Sequence, residues 1–386
     1  MSQPDLRIVN PAATFRVIVT KELPGDRWLR LLTASGCRVE IAQGTDVLGE
    51  AEILAAVGDH ADAVIGQLTE PWTASLLERL SAAGGRIYSQ FAVGYDNVDV
   101  EAATQLGLPV GNTPGVLTET TAELAVALTF SAARRVPEGD RMMRAGGYDG
   151  WLPDMLLGAL LHRRTLGVIG AGRIGAAYSR MMVEGHKMDL VYYDVRVNDE
   201  LERYVADYAA FLENHDEAPV SCRRATNLND LLHLADVVSI HAALTPETRH
   251  LIGAPELATM KDTAVLVNAS RGPLIDEAAL VEHCRANPGF RVGMDVYERE
   301  PEMAPGLAEL ENAVLVPHLG SATTWTREGM ATLAAANAVA ILRGWPVWPA
   351  AADAGDVAPF LGGAEPPRAA PSIVNVAELG LARWSG

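Results

Sequence analysis

The stretch Thr165–Asp194, TLGVIGAGRIGAAYSRMMVEGHKMDLVYYD, constrains the fold more than any other part of the chain. An apolar run, Leu166–Ile169, meets Gly170-Ala171-Gly172-Arg173-Ile174-Gly175. A helical pattern follows, with a stop at Gly185, and a second apolar run, Leu190–Tyr193, closes on Asp194. The order is strand, glycine turn, helix, strand. Gly170 allows the tight turn, Gly172 lets the backbone approach a pyrophosphate, and Gly175 lets the helix pack closely on the sheet. The helix N-terminus at Arg173 and Ile174 presents N–H groups and a partial positive charge to phosphates. Asp194, nineteen residues beyond the last glycine, is placed to accept both ribose hydroxyls of an adenosine. Glycine turns join many strands to helices, so the flanking strands and the acidic residue carry the assignment. Together they predict dinucleotide binding.

At 386 residues the chain has room for two domains with full cores. Short β-rich runs at 16–19, 38–41, 63–65, 86–88 and 109–111 alternate with helical patterns at 27–33, 50–57, 73–83 and 98–106. Such alternation predicts a small domain with a parallel sheet. The loop Phe91–Val98 follows its fourth strand, where open sheets bind ligands. A helix over 118–135, with Thr118 and Thr121 as cap candidates and Pro137 closing it, reads as the crossing between domains. Residues 144–157 are rich in glycine and aromatics, as in a loop or arm. Strands of the second domain fall at 165–169, 189–193, 237–240, 264–268, 291–295 and 313–316. Between the second and third lies an acidic insertion, 198–214, read with the polar stretch to Arg224 as a solvated helix and loop. A helix over 326–342 rejoins the first domain, and a Pro-rich tail from Gly344 wraps the surface. The expected fold is α/β, with two doubly wound parallel-sheet domains. One is a flavodoxin-like substrate domain (1–117 with 327–386) and the other a Rossmann dinucleotide-binding domain (118–326).

Open parallel sheets take ligands beyond the carboxyl ends of their strands. In the second domain the residues there are Gly170, Asp194, His241, Asn268-Ala269-Ser270-Arg271, Asp295 with Glu300 beyond it, and Pro317-His318. Reduction of a 2-keto acid needs a hydride donor, a cation for the carboxylate and an acid for the carbonyl oxygen. Arg271 offers a planar fork that keeps its proton. His318 is suited to be the acid, and a nearby Glu300 favours the charged imidazole and fixes its orientation. Taken singly, each has a plainer reading: a surface arginine, a turn at Glu300-Pro301 that starts a helix, a half-buried histidine.

A net charge of −18 argues against nucleic acid or an anionic membrane as partner. Cys37, Cys222 and Cys284 lack CxxC spacing, which predicts free thiols in a reducing compartment and no metal site. No run of 18 apolar residues exists to span a membrane.

GAGRIG (170–175), NASRGPLIDEAAL (268–280), GMDVYEREP (293–301) and PHLGSAT (317–323) resemble the motifs of the D-2-hydroxyacid dehydrogenase family. The resemblance covers nearly the whole chain. It implies that Arg271, Glu300 and His318 are catalytic. NAD(H) would meet Gly170, Gly172, Arg173, Ile174, Gly175, Asp194, His241, Ala269, Ser270, Asp295 and Gly320, with Asp295 orienting the nicotinamide amide. The substrate carboxylate would meet backbone N–H groups at Val93 and Gly94 and the Arg271 fork, with His318 delivering the proton.

QFAVGYDNVDV, GNTPGVLTETTAEL, MRAGGYDGWLP and YSRMMVEGHKM are similar to NADH-dependent hydroxypyruvate reductases of photorespiration. The insertion after Asp194 and the PSIVN-containing tail fit that group too. The resemblance therefore implies reduction of hydroxypyruvate to D-glycerate, glyoxylate as a secondary substrate, and a homodimer. Other members, acting on phosphoglycerate, glyoxylate or D-lactate, are the alternatives, and an NAD-sensing corepressor-like binding module is the non-enzyme alternative. Asp194 repels a 2′-phosphate and favours NADH, and Arg196 partly offsets this toward NADPH. The chain ends Arg-Trp-Ser-Gly, not in a peroxisomal tripeptide, so a mitochondrial or cytosolic place is expected over a peroxisomal one.

Overall fold

The computed structural model describes residues 4–351, 353–362 and 365–385. It divides into two compact units. One holds the residues up to Thr118 and those from Ala322 on, and the other is Glu119–Ser321.

The first unit carries six strands: β1 (Leu6–Val9), β2 (Phe15–Val19), β3 (Cys37–Ala42), β4 (Ala63–Gly66), β5 (Ile87–Gln90) and β6 (Val110–Gly111). Their order is β1-β3-β2-β4-β5-β6. The five from β2 to β6 are parallel and follow the 2-1-3-4-5 order of flavodoxin-like folds. β1 was not expected. It pairs antiparallel with β3, so the sheet is not wholly parallel. With its two central residues exposed and its two outer ones half-buried, it shows neither alternation nor a buried run.

The helix Thr324–Arg343 buries fourteen of its residues in this unit. A helix apolar all round is expected to be a buried one, and Ser89 Oγ donates to its Ala334 carbonyl at 2.9 Å. The tail does more than wrap the surface. It includes a helix, Ala354–Leu361, and its Ile373 bridges Gly111 antiparallel. Asn375, 1% exposed, accepts from Val110 N at 2.9 Å and donates to Leu108 O at 2.9 Å and Thr104 Oγ1 at 3.0 Å. The two-residue strand β6 would otherwise bury unpaired backbone groups, and the tail supplies their partners. The tail residues 352, 363–364 and 386 lie outside the described residues.

The second unit carries seven parallel strands: β7 (Thr165–Ile169), β8 (Asp189–Tyr193), β9 (Cys222–Arg224), β10 (Val237–Ile240), β11 (Val265–Asn268), β12 (Arg291–Met294) and β13 (Ala313–Leu315). Their order is β13-β12-β11-β10-β7-β8-β9. This is the 3-2-1-4-5-6 order of dinucleotide folds with one strand added. Six strands were expected. β9 was hidden in the polar stretch because it is a three-residue, mostly exposed edge strand reading Cys-Arg-Arg.

Other details also differ from expectation. The helix Thr118–Ala133 begins at Thr118 itself, so Thr118 stands inside it rather than capping it. Thr121 Oγ1 donates to the Gly320 carbonyl at 3.0 Å. Pro137 does not close that helix. It sits in the first turn of a second one, Val136–Arg144, after Arg135 turns left-handed. The helix Arg173–His186 continues through Gly185 and stops where Lys187 becomes left-handed. The insertion is a helix, Asp199–Glu213, capped by Asn198. Residues 145–164 carry no helix or strand.

Among the described residues, no helix is long and apolar enough to cross a membrane, and no group of three or more His, Cys, Asp or Glu side chains gathers as a metal site. The three cysteines are unpaired.

Candidate active site

In the second unit β7 and β10 lie side by side, and the strand order reverses between them. The glycine turn leaves the end of β7 there. Gly170 has φ +91°, and a Cβ on it would stand 2.7 Å from the His241 carbonyl carbon. A Cβ on Gly175 would stand 2.0 Å from Gly170 O. Both glycines are therefore demanded by close packing. Gly172 differs: its φ of −73° suits any residue, and a Cβ there meets nothing within 4 Å. The one open face of the turn is the face a pyrophosphate needs, so the turn fits a dinucleotide. Arg173 is exposed and Ile174 half-buried at the head of the helix.

Asp194 follows β8. Its carboxylate accepts from Ala171 N at 2.8 Å and Arg196 N at 3.0 Å, which ties the acidic residue to the turn. His241 follows β10. Its Nε2 lies 2.9 Å from Ser239 Oγ, and its ring packs on Tyr178 with centroids 5.1 Å apart. Burial pushes this imidazole down to about 3, so it stays neutral and is no proton donor at neutral pH.

Arg271, Glu300 and His318 come together at the ends of β11, β12 and β13. His318 Nδ1 is 2.9 Å from Glu300 Oε2, and Glu300 Oε1 accepts from Tyr297 N at 3.0 Å. Burial raises the Glu300 carboxyl, but the hydrogen bond and charge of His318, the Tyr297 N–H and the nearby Arg271 outweigh it. The group is held below the usual carboxylate range. His318 itself has φ +52°, a left-handed backbone rare outside glycine and a common mark of functional sites. Its N–H bonds the Asp295 carbonyl at 2.9 Å. No helix starts at Glu300-Pro301, which sits in a turn.

Gly272 explains how Arg271 reaches Glu300. A Cβ there would lie 1.9 Å from the Tyr297 carbonyl, so only glycine lets the two loops touch. Glu277, 1% exposed, anchors the second loop by accepting from Glu298 N at 2.6 Å and Ala304 N at 3.0 Å. Sequence reasoning missed this residue, because an acid in a helix's first turn looks like a surface group. Ser270 Oγ donates to Ala242 O at 2.6 Å, and Asn268 braces the Arg271 carbonyl at 2.8 Å. Ala269 is buried. Asp295 is 1% exposed, with its two oxygens accepting from Leu319 N at 2.5 Å and Gly320 N at 2.9 Å. Its visible work is to hold the loop that carries His318.

Val93 and Gly94 belong to the first unit. Their loop is tied down through carbonyls: Val93 O accepts from Asn112 Nδ2 at 2.9 Å and Gly94 O from Gln90 Nε2 at 3.3 Å. Asn112 in turn accepts from Ser372 Oγ at 2.7 Å, a brace from the tail that no local sequence signal announced.

Residues 126–320 match the family described as D-isomer specific 2-hydroxyacid dehydrogenase, NAD binding domain. A glycerate dehydrogenase of Cucumis sativus is 54% identical over 99% of this chain and 100% of that one. An Arabidopsis thaliana protein named glycerate dehydrogenase HPR, peroxisomal, is 53% identical over 99% of each. The crystal structure of the TT0316 protein from Thermus thermophilus superposes with a TM-score of 0.75 at 38% identity, covering 86% of this chain and 97% of that one. With the glycine turn and the strand-end residues in place, the chain belongs to the D-isomer specific 2-hydroxyacid dehydrogenase family, whose members bind NAD.

Proposed function

We propose that the chain reduces hydroxypyruvate to D-glycerate with NADH, taking glyoxylate as a secondary substrate. The observation that carries the proposal is the 2.9 Å Glu300–His318 pair with the Arg271 charge beside it, in a chain more than half identical to two glycerate dehydrogenases. When bound at the glycine turn, NADH would supply the hydride that reduces C2 of the keto acid. His318 gives its Nε2 proton to the oxygen that becomes the C2 hydroxyl, while Glu300 keeps Nδ1 hydrogen-bonded and stabilises the cation before transfer. Arg271 holds the carboxylate by its planar fork. In the first unit, the Phe91–Val98 loop carries the N–H groups of Val93 and Gly94, the donors we assign to substrate binding there. Gly170–Gly175 receives the pyrophosphate, Asp194 the adenosine ribose, and Ala269, Ser270, His241 and Gly320 line the nicotinamide half. Asp295 acts there through the loop it anchors.

The test is steady-state NADH oxidation with a panel of 2-keto acids and chiral analysis of the product. Hydroxypyruvate should give the highest kcat/KM and D-glycerate. Tight NADH binding without turnover of any keto acid would instead favour a binding module.

Asp194 sets the cofactor preference. The native chain should use NADH at higher kcat/KM than NADPH. Asp194→Ala should narrow the gap by about tenfold to a hundredfold, the scale of one like charge removed at a partly exposed site. A native preference for NADPH contradicts the assignment.

The partner is a second copy of the chain. Val136, Met143, Trp151, Leu152, Leu157 and Leu160 are between 55% and 76% exposed within one short stretch of the second unit, an apolar density unusual for a lone surface. Sedimentation equilibrium should report twice the 41.1 kDa chain mass, and a monomer would contradict it. The three free thiols fit a reducing compartment.

A further inference from the structure

The acidic helix Asp199–Glu213 has no part in the chemistry above, yet its cap touches the glycine turn. Asn198 Nδ2 donates to the Ala171 carbonyl at 2.7 Å. The same side chain's Oδ1 accepts from Leu201 N at 2.9 Å, capping the helix. Its backbone N–H donates to the Tyr192 hydroxyl at 3.1 Å, and that hydroxyl donates to Glu202 at 2.6 Å. Tyr192 is fully buried, and burial with the Glu202 contact pushes its phenol up to about 12. It therefore remains a donor throughout the neutral range. On the other side of the same residue, Ala171 N donates to Asp194 at 2.8 Å.

Ala171 is thus gripped at both its N–H and its C=O by residues four apart in sequence, Asp194 and Asn198. The Ala171–Gly172 peptide is trans and planar, so fixing the Ala171 carbonyl also fixes the direction of the Gly172 N–H. Gly172 is the position whose open face suits the pyrophosphate. A turn free to rotate this peptide would have to be ordered on binding, at the expense of affinity.

We propose that Asn198 is a positioning residue for the cofactor: the insertion helix is built onto the glycine turn so that its cap amide holds the Ala171–Gly172 peptide in the orientation that receives a pyrophosphate. The inference rests on the cofactor reading of the glycine turn.

Asn198→Asp separates the two duties of the side chain. An aspartate keeps the cap acceptor for Leu201 N but replaces the donor to Ala171 with an oxygen. Asn198→Ser likewise keeps a cap and lacks the reach, and it carries the test if the Asp variant fails to fold. Calorimetric titration with ADP-ribose, which holds the adenosine and pyrophosphate without nicotinamide, should show Kd raised about fivefold to tenfold in either variant, the scale of one lost hydrogen bond. Tm should stay near native, KM for NADH should rise with Kd, and KM for the keto acid should not change. Asn198→Ala, which loses the cap as well, should also lower Tm. ADP-ribose binding in the Asp and Ser variants within twofold of native would overturn the proposal, because the cap alone would then be what Asn198 provides. A parallel titration of Gly172→Ala distinguishes the two failures. If that variant binds ADP-ribose normally, the cofactor reading of the turn has failed. If it does not bind while Asn198→Asp does, only the role of Asn198 has.

Discussion

Replacing His318 by alanine should lower kcat for keto-acid reduction by roughly 10²–10⁴-fold, the range expected of a positioned general acid, with NADH binding little changed. The loss should be one of chemistry, because His318 is held by Glu300 and by its own backbone bond to Asp295, away from the glycine turn in sequence. Glu300→Gln should be milder but carries a signature in pH. The Glu300 carboxyl is held below its ordinary value of 4.5 by the His318 contact, Tyr297 N–H and Arg271 together, against the effect of burial. A depressed carboxylate contributes its pairing above its unfolded value and loses it as pH falls through the folded value. Activity should therefore persist through mildly acidic solution and fail from this cause only below pH 4.5. In Glu300→Gln that acid limb should vanish. A pH–rate profile of both proteins checks this, and an acid limb that survives the substitution would assign it to another group.

The second large effect concerns two glycines that look alike in sequence. Gly172→Ala should leave Tm near native, since its φ is ordinary and its Cβ has open space. NADH affinity should fall by about 10²-fold, because a methyl group occupies the approach the pyrophosphate requires and misplacement on this scale costs that much. Gly175→Ala should do the reverse in kind. Its Cβ would lie 2.0 Å from the Gly170 carbonyl oxygen, so the helix must shift off the sheet and stability should drop by about 1–3 kcal/mol. Urea unfolding beside NADH titration separates the two. Equal loss of stability in both variants would contradict the division of roles.

Much of this site was legible because it depends on residues near strand ends. Gly170, Asp194, His241, Arg271, Asp295 and His318 all fall just past runs whose apolar character marks a buried parallel strand. Once those runs are placed, the sheet itself brings the residues to one edge. β1 and β9 escaped notice for the opposite reason: short edge strands expose half or more of their residues and carry no buried run. What remained hidden were contacts made across the chain by single atoms. Gly272 is one of many glycines until Tyr297 is seen against it. Glu277 reads as a surface acid until its carboxylate is found on the Glu298 and Ala304 N–H groups. Asn198 reads as the start of a solvated helix and Asn375 as part of a surface tail, yet one holds the glycine turn and the other completes the edge of β6. No periodicity encodes such meetings, since each depends on where two distant backbones pass.

That Glu300 and His318 form one proton-delivering unit is tested most directly by a double-mutant cycle on kcat. If the carboxylate works only through the imidazole, the double variant Glu300→Gln/His318→Ala should turn over no more slowly than His318→Ala alone. Losses that multiply, with the double variant slower by the full Glu300→Gln factor, would show the two groups acting independently and contradict the account.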